Sequence, residues 1–232
     1  MLPIIVLAGG LATRLRPLTE TIPKSLIDIN GIPFVVHQLR LFESKGLKRV
    51  HFCLGFLGEM VEEIVKAESW KMEITFSHDG EKLLGTGGAI KKMLKDFPQE
   101  FMITYGDSYL DANYKDVALF YERQETGIIK GLMTVFKNDE KWDSSNVIFK
   151  DSQIITYTKK YKTEEMEYID FGLGILTQGH FGDYEQDQVF DLSEIYENAA
   201  IQKQLIGYEV YNRFYEVGSF SGIQELSNYL KL

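Results

Sequence analysis

No disulfide can form within this chain, because it holds one cysteine, Cys53, set in the apolar stretch 50–54 where it reads as a small buried hydrophobe. Histidine is scarce too: the four residues His37, His51, His78 and His180 show no H-x-x-x-H spacing, so no zinc set can be assembled locally. A G-x-S-x-G elbow is missing, which removes the simplest serine hydrolase. The two common phosphate fingerprints are missing as well, G-x-x-x-x-G-K-[ST] throughout and G-x-G-x-x-G after the first strand. No apolar run approaches the roughly 20 residues of a membrane-spanning helix, and Met1 leads into a strand without a basic leader, so a cytoplasmic enzyme is expected. Positive charge is in deficit. A formal net charge of −9 argues against nucleic acid or an anionic membrane as partner.

Against that deficit, cations gather at the start. The apolar run Ile4 to Leu7 empties into the small-residue turn Ala8-Gly9-Gly10, and Arg14, Arg16 and Lys24 follow. Glycines let backbone N–H groups approach phosphate oxygens, and nearby cations offset the charge on them. The pattern suits a polyphosphate. With 44% hydrophobic residues, 232 residues can bury one substantial core.

Strand patterns are expected at 3–7, 49–54, 72–77, 101–105 and 131–136, and helical periodicity at 34–45, 58–67 and 88–97. The second half is denser in strands, at 146–150, 154–160, 169–176 and 205–211, with helices at 192–202 and 221–230. This rhythm predicts a Rossmann-like three-layer α/β/α sandwich with a mixed, mostly parallel central sheet. No linker, repeat or low-complexity segment interrupts it, so 1–232 reads as one domain with halves of about 1–110 and 111–232. The acidic residues Glu164, Glu165 and Glu167 read as a solvated loop.

Informative side chains in such a sheet follow the strands. After the third strand comes Leu84-Gly85-Thr86-Gly87-Gly88-Ala89, which opens a helix and by itself reads equally as a helix cap, with Asp79 just upstream. After the fourth comes Gly106-Asp107, where a carboxylate could hold Mg²⁺.

The opening stretch resembles the signature of sugar-1-phosphate nucleotidyltransferases, G-G-x-G-T-R-L-x-P-x-T-x-x-x-P-K-P-L, at Gly9, Gly10, Thr13, Arg14, Leu15, Pro17, Thr19, Pro23, Lys24 and Leu26. Ala12 stands where that family has glycine, and Ser25 where it has proline. The likeness extends to L-G-T-G-G-A and runs nearly the whole chain. It implies transfer of a nucleotidyl group from a nucleoside triphosphate to a sugar 1-phosphate, giving a nucleotide sugar and pyrophosphate, with Mg²⁺ as cofactor. By the same resemblance Arg14 and Lys24 are catalytic, and Leu7, Ala8, Gly9, Gly10, Thr13, Asp79, Gly85 and Thr86 bind nucleotide. Gly106, Lys159, Lys160, Asp170 and Gly172 would bind the sugar phosphate, Lys160 gripping its phosphate, and Asp107 and Glu216 would hold the metal. Three departures bear on specificity: Lys159 for glutamate, Asp170 for asparagine and Glu216 for aspartate. Within the family the chain looks most like enzymes that make GDP-heptose, and next like those that activate N-acetylmuramate 1-phosphate with UTP. A cytidylyltransferase for a non-sugar phosphate and a silent binding module stay open, and a homodimer is compatible with the sequence.

Overall fold

The computed structural model describes residues 1–10, 15–124, 127–139 and 141–231. Ile4, Ile5, Val6 and Leu7 are all buried, so the first strand, β1 (Ile4–Ala8), is an unbroken apolar run: a strand covered on both faces has no polar side. Two-residue strands β2 (Asp28–Ile29) and β3 (Ile32–Pro33) follow, then α1 (Phe34–Ser44), β4 (Arg49–Leu54), α2 (Gly58–Lys66) and β5 (Glu73–His78). Next come α3 (Gly85–Met93), β6 (Glu100–Tyr105), β7 (Ser108–Tyr109), α4 (Tyr114–Glu122), β8 (Gly131–Lys137), β9 (Val147–Lys150) and β10 (Gln153–Tyr157). β11 (Tyr168–Thr177), α5 (Leu192–Ile201), β12 (Leu205–Val210), β13 (Tyr215–Glu216) and α6 (Phe220–Tyr229) complete the chain.

Nine strands form one sheet in the order β5-β4-β1-β6-β11-β8-β12-β10-β9. The first four pair in parallel, with Ile4 opposite Val50 on one side and Met102 on the other. β11 runs antiparallel to both β6 and β8, β12 is parallel to β8, and β10 is antiparallel to β12 and β9. The sheet is mixed, as expected, but not mostly parallel: in its strand order four neighbouring pairings are parallel, three of them in the first half, and four are antiparallel, the tight turn between β9 and β10 allowing no other pairing there.

Alternate residues of the central strands feed different clusters, as a side-chain period of two requires. Ile4, Val6 and Phe52 pack with Val35, Leu39, Val61 and Val117 from α1, α2 and α4, while Ile5, Leu7 and Cys53 pack with Ile90, Ile195 and Ala199 from α3 and α5. Each fully buried Leu, Ile or Phe contributes about 1.5–3 kcal/mol, so these clusters dominate the stability. A third, smaller cluster of Leu15, Ile27, Phe34, Tyr109, Val217 and Leu226 seats α6.

Most bounds shift by only a residue or two, and three larger departures stand out. α3 begins at Gly85, three residues early, because Gly85 turns the chain with φ of +74°. β10 stops at Tyr157, short of Lys160. α4 was not anticipated; Asn113 caps it by accepting from the Asp116 N–H. Glu164, Glu165 and Glu167 are exposed, as expected.

Candidate functional site

Two clefts meet at the carboxyl ends of the central strands. One, of about 870 Å³, is lined by Leu7 to Gly10, Lys24, Ser25, Asp79, Gly85 and Thr86. The other, of about 1340 Å³, is lined by Ser108, Lys159, Asp170, Glu216 and a rim that includes Trp142 and Arg213. Tyr105 and Asp107 belong to both.

The turn that carries Asp107 is held from four directions. The Gly106 N–H donates to Leu7 O at 2.8 Å, and Ser25 Oγ donates to Gly106 O at 3.1 Å. Gln38, buried on α1, donates to both Tyr105 O and Ser108 O at 2.8 Å, and the Val217 N–H donates to Asp107 O at 2.9 Å. Ser25 thus supplies a bond that a proline could not. Lys24 emerges from a single 3-10 turn, and its Nζ lies 2.9 Å from Asp107 Oδ2, with 18% and 29% of the two side chains exposed. A cation and a carboxylate therefore stand together where the clefts join.

Asp107 and Glu216 are neighbours because β7 and β13 pair, placing Ser108 opposite Glu216. Both carboxylates line the second cleft. Among the described residues no three His, Cys, Asp or Glu side chains gather as a metal set. Two carboxylates beside room for phosphate oxygens are nonetheless the donor set that Mg²⁺ takes, so the pair fits that ion.

The glycines of the 85–88 turn answer a packing demand as well as a cleft. A Cβ on Gly85 would meet Phe190 O at 2.5 Å, and one on Gly87 would meet the Phe190 ring at 2.2 Å. Residues 188–190 lie against one side of the turn, and Gly85 and Thr86 face the first cleft on the other. The Thr86 hydroxyl is engaged there: it donates to Asp191 Oδ2 at 3.0 Å and accepts from the Leu192 N–H at 2.8 Å. Asp191 caps α5 by accepting from the Ser193 N–H. Burial pushes its carboxyl up, but the bonds from Ser193 and Thr86 and the charge of Lys159 carry it below the ordinary range.

Asp79 accepts from the Leu84 N–H at 3.1 Å, and burial raises its carboxyl. Cys53 forms part of the same cleft's floor, its thiol pushed up to about 12 by burial, which makes it inert. His51 lies outside both clefts; burial, then Arg49, holds it down at about 4, neutral between Thr75 and Ser77.

Lys159 and Lys160 part company. Lys159 lines the second cleft and lies 3.9 Å from Asp191 Oδ1, whereas Lys160 is 71% exposed, pairs with Glu197 Oε2 at 2.6 Å and is not among that cleft's walls. The structure brings Lys159 to the cleft and does not bring Lys160. Asp170 and Gly172 line it, with Asp170 Oδ1 accepting from the Gly172 N–H at 2.9 Å inside a register shift of β11. Burial raises the Asp170 carboxyl, and Lys159 opposes that rise. Thr13 and Arg14, with Ala12, lie outside the described residues.

Sequence reasoning missed Gln38, Asp191, Trp142 and Arg213. Only Asp191 carried a local signal, the D-x-x-E capping box with Glu194.

Residues 3–224 match the family model described as Nucleotidyl transferase. The chain is 31% identical over 191 residues to the D-glycero-alpha-D-manno-heptose 1-phosphate guanylyltransferase of Campylobacter jejuni, covering 82% of each. It is 26% identical over 220 residues to the mannose-1-phosphate guanylyltransferase catalytic subunit beta of Drosophila pseudoobscura pseudoobscura, covering 92% of this chain but 58% of that one. In fold it is similar to HddC from Yersinia pseudotuberculosis, whose crystal structure is complexed with GMP-PN: TM-score 0.80, 22% identity, 99% of this chain and 100% of that one.

Proposed function

Since the chain belongs to the nucleotidyl transferase family, we propose that it transfers a nucleotidyl group from a nucleoside triphosphate to a sugar 1-phosphate, giving a nucleotide sugar and pyrophosphate. The observation that carries this reading is the meeting of two clefts at Tyr105 and Asp107, with Lys24 at the junction. Two substrates held in adjoining clefts react where the clefts join, and holding them there contributes much of the barrier reduction in such a transfer.

The first cleft takes the triphosphate, with Leu7, Ala8, Gly9 and Gly10 against the phosphates and Asp79, Gly85 and Thr86 toward the nucleoside. An oxygen of the acceptor phosphate attacks the α-phosphorus, and the bond to the bridging oxygen breaks as pyrophosphate leaves. Lys24 offsets charge at that centre, and by the resemblance Arg14 holds the leaving phosphates and Thr13 binds nucleotide. Asp107 and Glu216 would hold Mg²⁺, which when bound neutralises phosphate charge. In the second cleft Asp170 and Gly172 line the acceptor, Gly106 approaches it from the first cleft's side of the junction, and Lys159 takes the phosphate-facing part that the resemblance gave to Lys160. Lys160 steadies α5 through Glu197.

The chain is read as one domain, its halves about 1–110 and 111–232, with the sheet as the middle of three layers because the two main clusters use alternate residues of β1. Among the described residues no helix is long and apolar enough to cross a membrane. The reading extends to a cytoplasmic enzyme that supplies precursors of a cell-surface polysaccharide and can form a homodimer; the net charge of −9 fits small-molecule substrates rather than nucleic acid as partners. The test is pyrophosphate release with ATP, CTP, GTP, UTP and dTTP, each against a panel of sugar 1-phosphates in Mg²⁺. Release with one pair is expected; thermal stabilisation by a triphosphate with no release on any acceptor would reduce the protein to a binding module.

A further inference from the structure

Arg213 is held in an unusual setting for a residue that no catalytic step uses. Its guanidinium carbon sits 3.5 Å from the ring centre of Trp142 and 4.6 Å from that of Tyr215. An Nη2–H goes to Glu225, and Nε–H donates to Phe214 O at 3.3 Å. Tyr215 is in turn stacked on Tyr229 of α6 at 4.5 Å. Trp142 comes from the connection between β8 and β9, where Asn138, fully buried, donates to Asp143 O and to Ser145 Oγ and so fixes that segment's path. Two distant stretches of chain, one just before Glu216, are thereby locked at the rim of the second cleft, and Trp142, Arg213 and Glu225 all line it.

We propose that Arg213, backed by Trp142 and Glu225, is a specificity-determining residue that reads the ring hydroxyls of the acceptor at the end away from its phosphate. A guanidinium held against two rings and tied to Glu225 and Phe214 O has its planar fork restrained, and Glu225 beside it supplies acceptors; such a pair fits adjacent hydroxyl groups. Glu225 offsets the charge of Arg213, so the pair suits a neutral polyol better than a second phosphate. Trp142, 40% exposed, adds apolar surface for the ring's C–H groups. Among the described residues only Phe214 and Glu225 accept from Arg213.

This inference rests on the transfer proposed above, and the experiment separates the two. Trp142 and Trp70 are the chain's two tryptophans, and Trp70 lies beyond α2, bonded to Val65 O, so Trp70→Phe leaves Trp142 as sole reporter. In that protein the sugar 1-phosphate that supports pyrophosphate release is expected to shift Trp142 emission, while inorganic phosphate alone leaves it unchanged. Arg213→Ala is expected to raise KM for that sugar by about tenfold or more while KM for the triphosphate moves by less than about twofold, and Arg213→Lys, which keeps charge but not the planar fork, is expected to recover only part of the loss. Unchanged sugar KM in Arg213→Ala with silent Trp142 emission overturns the inference and leaves the transfer standing. A parent that releases pyrophosphate with no sugar 1-phosphate overturns both. Should Arg213→Ala fail to fold, the emission titration decides alone.

Discussion

The first cleft is walled largely by backbone and small side chains, Leu7, Ala8, Gly9, Gly10, Gly85 and Gly106, with few charges. The second is walled by charge of both signs, including Lys141, Asp143, Lys159, Asp170, Arg213 and Glu225. Backbone donors are the same whatever the side chains, so the first cleft suits what a whole family shares, a triphosphate. Paired charges are individual to a sequence. On the proposed reading the second cleft is where this chain sets its own acceptor; the departures Lys159, Asp170 and Glu216 line it, while Ser25 lines the first.

Breaking the junction tests whether the two clefts serve one reaction. EDTA is expected to abolish pyrophosphate release, and Asp107→Asn to raise the Mg²⁺ concentration needed for half-maximal rate, because one carboxylate remains to hold the ion. Full activity in EDTA would refute the metal assignment. Next in size, Lys24→Ala is expected to lower turnover by about a hundredfold or more, roughly 2.7 kcal/mol, the usual cost of removing a preorganised charge-stabilising group. A steady-state assay showing near-parent turnover would mean that Lys24 serves only to hold Asp107.

The two clefts also differed in how far the sequence revealed them. The strand, the glycine turn and Lys24 are contiguous in the first 26 residues, so local pattern was enough to place them. Asp107 was legible because it ends a strand. Lys159 and Lys160 were not separable by pattern: both follow β10, and which one enters the cleft depends on where that strand stops and on Glu197 from α5. Trp142 and Arg213 are 71 positions apart and meet only through tertiary packing. Likewise, glycines 85 and 87 looked like a ligand-cradling loop, and their second reason, the ring and carbonyl of Phe190, lies a hundred residues downstream.

Gly87→Ala sharpens that last point. The added methyl would start 2.2 Å from the Phe190 ring, and overpacking of this kind costs about 1–3 kcal/mol. We expect a lower melting temperature that Phe190→Leu in the same chain partly restores. An unchanged melting temperature in the single variant would show that Phe190 gives way freely, and the glycine would then be explained by ligand approach alone.

Within the second cleft, Lys159→Ala is expected to raise KM for the sugar 1-phosphate by about tenfold, a loss of roughly 1.4 kcal/mol. Lys160→Ala, measured in the same assay, is expected to change it by no more than about twofold, since a mostly exposed ion pair contributes little. The reverse ranking would return the phosphate-gripping part to Lys160 and imply that its pairing with Glu197 breaks on binding.

The smallest expected effect concerns what the charged cleft costs. Asp170 is half-buried, and loss of hydration raises its carboxyl above the ordinary value of 3.8, although the Gly172 N–H and Lys159 pull it back. A carboxyl whose folded value exceeds its unfolded value binds its proton more tightly when folded. Its ionisation therefore opposes folding above the raised value, and that opposition fades as pH falls through it toward 3.8. Asp170→Asn keeps the oxygen that accepts from Gly172 and removes the charge. We expect it to melt about 2–4 °C higher than the parent at pH 7.5, corresponding to about 1 kcal/mol, with the gap closing near pH 4. A lower melting temperature at pH 7.5 would mean that the attraction between Asp170 and Lys159 outweighs the desolvation of the carboxylate. The pair would then be a stabilising element of the cleft, and the second cleft would carry no stability cost for its acceptor-specific charge.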